Sequence, residues 1–178
     1  LFLFQSLQSM VQYMASPEVL QEIIFWLFGS LLKATWANLS ISASIFGGCG
    51  PLLITDVWRL TALRLGDDRA RSLGVDVRRL RMRLFALVAL LTAGAVAFVG
   101  TIGFVGLVAP HLARILVGED HRILLPMAAI AGAFIMTAAS VTSKLLSPGA
   151  VLPVGIVTAV IGVPFLFLLI FKSRRRFW

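Results

Sequence analysis

Residues 84–117 form one run of 34 in which the only ionisable side chains are His111 and Arg114. Drawn out as a single α-helix, the run would be ~51 Å long at about 1.5 Å per residue, against a bilayer hydrocarbon core of ~30 Å. It therefore crosses a membrane and turns within its own length. Gly100-Thr101-Ile102-Gly103 supplies the turn, because its glycines lack the Cβ that resists a tight reversal. The spans on either side fall at 84–99 and 104–117.

Composition agrees with an integral membrane protein. Hydrophobic residues make up 59% of the chain and charged residues 13%, with a mean hydropathy of +0.96, whereas soluble domains carry about 25% charged residues. The formal charge of +8 does not point to nucleic acid, since the basic residues sit in short blocks between apolar runs with no aromatic interleaving. The single cysteine, Cys49, leaves no internal disulfide or CxxC metal site and reads as a small buried hydrophobe.

The other segments follow from local signals. Residues 1–14 are apolar but carry Gln5, Gln8 and Gln12, and are too short for a crossing of about 20 residues. With no basic start or cleavage site, they read as the end of a truncated helix in a fragment of a longer protein. Ser16-Pro17-Glu18 opens an amphipathic interfacial helix that closes near Gly29-Ser30. Residues 36–55 form a span whose Gly47, Gly48, Gly50 and Pro51 predict a break. Residues 56–83 are the longest polar stretch, rich in arginine, and LGDDRARSLGVDVRRLR within it reads as two short helices joined by Gly74. Residues 124–146 form another span, with Ala129, Gly132 and Ala133 spaced for close helix approach. A break at 147–153 precedes the last span, which runs to Phe171 and ends in Lys172, Arg174, Arg175 and Arg176.

Basic loops stay on the cytoplasmic side. With 56–83 inside, four crossings put the 100–103 turn outside, 114–122 inside, Lys144 outside and the C-terminal tail inside. All 16 basic residues except Lys33 and Lys144 then lie inside.

Little in the chain suggests catalysis. It has no GxxxxGK[ST] phosphate loop, no serine, histidine and carboxylate set, and no H-E-x-x-H zinc motif. His111 and His121, ten apart at one membrane boundary, suit interfacial hydrogen bonding better than ligation. Neither a catalytic residue, a cofactor nor a metal site is expected. Mid-span positions lack the ionisable group of a proton relay, so any transport is driven from outside this chain. The arginine-rich loop is where a driver would push.

In order and spacing, ARSLGVDVRRLR, GTIGFVGLVAPHLARILVGEDHRILLP and PVGIVTAVIGVPFLFLLI resemble the FecCD/vitamin B12-type permease family, the membrane subunits of ABC importers for iron-siderophores, haem and cobalamin. The resemblance implies an all-α, polytopic fold, with about five transmembrane helices of a ten-helix permease, short cytoplasmic coupling helices and a broken outer half-helix. It implies one permease domain over 1–178, a coupling loop at 56–83 and a four-helix C-terminal bundle at 84–171. The implied location is the inner membrane, with the C-terminus cytoplasmic. Implied partners are a second permease subunit in a homodimer, two ATP-binding subunits, a periplasmic or lipid-anchored substrate-binding protein and membrane lipid.

Residue by residue, Gly66, Asp67, Arg69, Arg71 and Gly74 match the coupling helices that meet the ATPase. His111, Arg114, Asp120, His121 and Arg122 match the second cytoplasmic loop, either an ATPase contact or a cap for two helices. Pro148, Pro153, Gly155 and Thr158 match the pathway and outer gate, where a tight outer turn is the plainer alternative. Lys144 stands where many relatives have an arginine that pairs with the binding protein, and Ser140 where they have an aspartate. Ala150-Val151 replace a glutamate-containing lead-in to Leu152-Pro153. Lys144 keeps the charge of the arginine but loses its bidentate fork. An ion- or proton-coupled secondary carrier is the alternative function, and a non-transporting membrane anchor a third.

Overall fold

Side-chain caps open three of the described helices. The computed structural model describes residues 2–31, 34–146 and 152–174. Among these run α1 (Phe2–Met14), α2 (Pro17–Leu27), α3 (Trp36–Thr55), α4 (Val57–Leu63), α5 (Asp67–Ser72), α6 (Val77–Val99), α7 (Val105–Val117), α8 (His121–Leu146) and α9 (Val154–Arg174), with no strand among the described residues. The Thr35 hydroxyl accepts the Asn38 amide at 3.2 Å to open α3. Asp76 accepts the Arg79 amide at 3.0 Å to open α6, and Asp120 the Arg122 amide at 3.0 Å to open α8. Each side chain satisfies an N–H that the first helical turn leaves without a partner.

Two expectations about where helices break change. The predicted break inside 36–55 is absent, and α3 continues through Gly47, Gly48, Gly50 and Pro51. Proline deletes one bond, to the carbonyl four residues back, while the flanking turns keep theirs. The arginine-rich stretch also folds differently from two short helices joined at Gly74. Its short helices are α4 and α5, separated by Gly66, whereas the helix after Gly74 starts at Val77 and runs on into the span as α6. With Asp76 as its cap and no glycine or proline before Gly94, nothing stops that helix at the membrane boundary.

Among the described residues, α3, α6 and α8 are long and apolar enough to cross a membrane. The apolar helix α7 has 13 residues and is ~20 Å long at about 1.5 Å per residue, shorter than the core it was expected to cross. Large side chains such as Phe85, Phe134 and Leu168 stay exposed on the flanks, as lipid permits. Close contacts instead involve small residues. A Cβ on Gly94 would stand 2.7 Å from Ile45 Cδ1, and the Ser42 hydroxyl donates to the Gly94 carbonyl at 3.2 Å, joining α3 to α6. Helix α8 packs along α7 and also against α9.

Burial concentrates at the two ends. Ala62, Ala70, Val75, Val77 and Leu80 form a cluster beneath α4 and α5. Ala139, Val154 and Val157 form another where α8 meets α9, joined by Leu31, Met136 and Leu152.

Candidate functional site: a charged platform and a backbone junction

The platform is built on Asp56, the residue between α3 and α4, whose side chain is fully buried. Arg59 Nη1 donates to Asp56 Oδ1 at 2.7 Å. Arg83 Nε of α6 lies 3.2 Å from Oδ2. That second contact meets the distance for an ion pair, but Oδ2 lacks an aligned hydrogen bond, so we treat it as Coulombic only. One carboxylate thus ties α3, α4 and α6 together.

Two further ties fix the short helices. Arg81 donates to Asp67 at 2.8 Å, fastening the start of α5 to α6, and the fully buried Ala70 packs α5 onto the cluster beneath it. Arg64, just after α4, donates to the Glu119 carbonyl at 2.9 Å and also pairs with the Glu119 carboxylate. Arg114 of α7 lies 4.0 Å from the same carboxylate. Glu119 therefore joins the α4–α5 link to the α7–α8 turn.

The residues matched to the coupling helices lie together in this layer. Gly66 caps α5 with a φ of +97°. Asp67 is taken up by Arg81, and Arg71 sits 3.5 Å from Asp68. Arg69 and Gly74 are exposed. Gly74 borders an open hollow of about 430 Å³ beside Arg71, Asp76 and Arg78. The residues matched to the second loop divide between elements: His111 and Arg114 belong to α7, His121 and Arg122 to the first turn of α8, and Asp120 caps α8. His121 Nδ1 is buried without a hydrogen-bond partner. Among the described residues, no group of three His, Cys, Asp or Glu is placed to hold a metal.

The far ends of α6 and α8 carry the second feature. The Ser30 amide donates to the Val99 carbonyl at 2.8 Å, and the Thr101 hydroxyl to the Leu27 carbonyl at 2.6 Å. A Cβ on Gly100 would stand 2.0 Å from the Trp26 oxygen, and one on Gly155 2.0 Å from the Phe28 oxygen. The end of α2 is therefore wedged, backbone against backbone, between the α6–α7 turn and the start of α9.

Of the residues matched to the pathway, Pro153 and Thr158 are buried. The Thr158 hydroxyl is spent on the Gly155 carbonyl at 3.0 Å, and Gly155 is a contact point for α2. Pro148, Ala150 and Val151 lie outside the described residues. Lys144 is exposed in the last turn of α8, and the neighbouring Ser143 hydroxyl donates to the Leu152 carbonyl.

Sequence reasoning gave Asp56 no role, read Glu119 only as part of the 118–122 loop with no partner, and treated Gly29 and Gly100 as turn residues. A weak signal existed for Asp56, which ends an apolar helix with an arginine three residues on. Nothing in the sequence paired Arg64 with Glu119 or Gly155 with Phe28.

Comparison with known proteins follows the same lines. The model of the FecCD transport family matches residues 1–172. The chain is 39% identical over 164 residues to the hemin transport system permease protein HmuU of Yersinia pestis, covering 92% of this chain and 49% of that protein. It is 39% identical to the molybdate import system permease protein MolB of Haemophilus influenzae, covering 97% and 51%. With the cobalamin import system permease protein BtuC of Halobacterium salinarum the identity is 37%, covering 89% and 42%. The chain thus spans about half the length of the curated relatives it matches. A solved inward-facing structure described as a metal-chelate type ABC transporter superposes with a TM-score of 0.90 at 39% identity, covering 96% of this chain and 55% of that one.

Proposed function

The chain belongs to the FecCD transport family, and from that premise we propose that it is part of the permease subunit of an ABC importer for a metal chelate of the iron-siderophore, haem or cobalamin kind. It hydrolyses nothing itself. ATP is split on two separate subunits that press on the arginine-rich layer, a second permease copy completes the pathway, and a binding protein delivers the chelate near Lys144. The layer faces the cytoplasm, as does the C-terminus.

The observation that carries this reading is the way α5 is held. Its exposed side offers Arg69 and Arg71, with the open Gly74 in the turn that follows, while its other side is fixed by Ala70 and by the Asp67–Arg81 pair to α6. A push on α5 reaches the α6 span directly, and through Arg64 and Glu119 it also reaches α7 and α8. Ion pairs and packed small residues move such elements as units rather than by continuous deformation. At the other end of α6, the wedged backbone of α2 shifts with it.

Gly74→Asp tests the reading. The position has a φ of +81° and open space around it, so a side chain strains the local backbone by about 1–2 kcal/mol without meeting a neighbour. The permease should still fold and reach the membrane. It should lose co-purification with its ATPase and ATP-driven uptake, as should deletion of 65–75. If both variants kept ATPase association and uptake, the coupling role would be lost. Uptake that survived ATP depletion and collapsed with an uncoupler would identify a secondary carrier instead.

A further inference from the structure

Between the end of α3, the start of α4 and the first turns of α8 lies a cleft of about 700 Å³, within the size range of small-molecule and cofactor sites. Phe46, Leu53, Trp58, Leu125 and Pro126 make its walls apolar, and among the described residues Arg122 is the one charged side chain that lines it. The acids nearby are engaged elsewhere: Asp56 with Arg59 and Arg83, Asp67 with Arg81, Asp76 with Arg79, and Glu119 with Arg64 and Arg114. Asp120 accepts the Arg122 backbone amide, leaving the guanidinium without a described acid in ion-pair range.

We propose that this cleft binds an anionic phospholipid, with its phosphate on Arg122 and an acyl chain along the α3–α8 wall. An apolar protein helix in the same place would bury the guanidinium with no counter-charge, which is costly. A phospholipid supplies the anion and the apolar chain together, at the depth where basic pockets between membrane helices bind such head groups. Trp58, 53% exposed, stands at the cleft as interfacial aromatics do. The site rests on the reading of this end as a membrane boundary, and lipid held here bridges α3 and α8 beside the Asp56 corner.

Native mass spectrometry of the purified, delipidated permease, titrated with phosphatidylglycerol or with phosphatidylcholine, tests the proposal. Phosphatidylglycerol should bind about fivefold more tightly, the size of one basic residue's attraction to an anionic surface, ~1 kcal/mol. Arg122→Gln should abolish that preference, Arg122→Lys should retain it, and Arg69→Gln, on the exposed layer, should leave it unchanged. Ala129→Phe, filling the wall, should weaken both lipids. An unchanged preference in Arg122→Gln, or a photo-crosslinker at Trp58 that captures protein rather than lipid in the membrane, would overturn it. ATP-driven uptake by the transporter in vesicles separates the two readings, since an unmodified permease that imports yet binds the two lipids equally sinks only the lipid site.

Discussion

Asp56 makes a prediction whose sign depends on which partner is removed. Its carboxylate is fully buried, whereas Arg59 and Arg83 are 51% and 41% exposed. In Asp56→Ala the two guanidiniums turn back to water. The loss is then mainly the one aligned, charge-assisted bond at 2.7 Å, about 2 kcal/mol, because the second contact is unaligned and partly screened. In Arg59→Gln/Arg83→Gln the carboxylate stays buried with no cation, for which ~3–5 kcal/mol is expected. Adding Asp56→Ala to that double variant removes the stranded charge and should restore stability, a reversal that additive contacts cannot produce. Thermal unfolding in detergent, followed by intrinsic fluorescence, reads the order of the midpoints. At roughly 2–4 °C per kcal/mol for a protein of this size, the double variant should melt several degrees below Asp56→Ala and below the triple variant. If the triple variant melts below the double, Asp56 is not the charge that holds this corner and the argument fails.

The backbone junction and the loop-to-loop tie give two further expectations. Gly155→Leu and Gly100→Ala each force a side chain to within 2.0 Å of a carbonyl oxygen, so both should misassemble, losing more than the ~1–3 kcal/mol of ordinary overpacking. Gly106→Ala, in open space within α7, should be neutral or stabilising by about 0.5–1 kcal/mol, and limited proteolysis beside a melting curve compares all three. Glu119→Gln should shift the melting midpoint little, since exposed ion pairs contribute ~0–1 kcal/mol, yet it should lower ATP-driven uptake. A double-mutant cycle with Arg64→Gln checks this, because strictly additive effects on uptake would show that the pair transmits nothing.

The helices long enough to cross, and the turn that ends α6, were legible because each depends on its own segment. An apolar run of 34 residues with two ionisable groups must enter lipid wherever its neighbours lie, and α6 and α7 do separate at Gly100 through Phe104. The family motifs were legible for a related reason: they are local strings whose order survives without coordinates. Reading glycine and proline as a stop failed inside α3, where the helix bridges Pro51. The same rule held at Gly100 and Gly118, each of which ends a helix with a positive φ. What separates these cases is the backbone conformation adopted, which composition leaves open.

From the sequence alone came the membrane character, the apolar segments that became α3, α6 and α8 and the arginine-rich layer, because transfer of a side chain to lipid or water is a property of that side chain and its immediate neighbours. Tertiary structure decided which charges answer one another and which backbones touch. Arg64 and Glu119 are separated by 55 residues and Thr101 and Leu27 by 74, and no local preference selects such partners. Because α3 lies against α6 and α4 against α8, Asp56 became the buried corner of the platform and Arg122 a charge facing an apolar cleft; because the end of α2 meets the start of α9, Gly155 became the bed for a carbonyl.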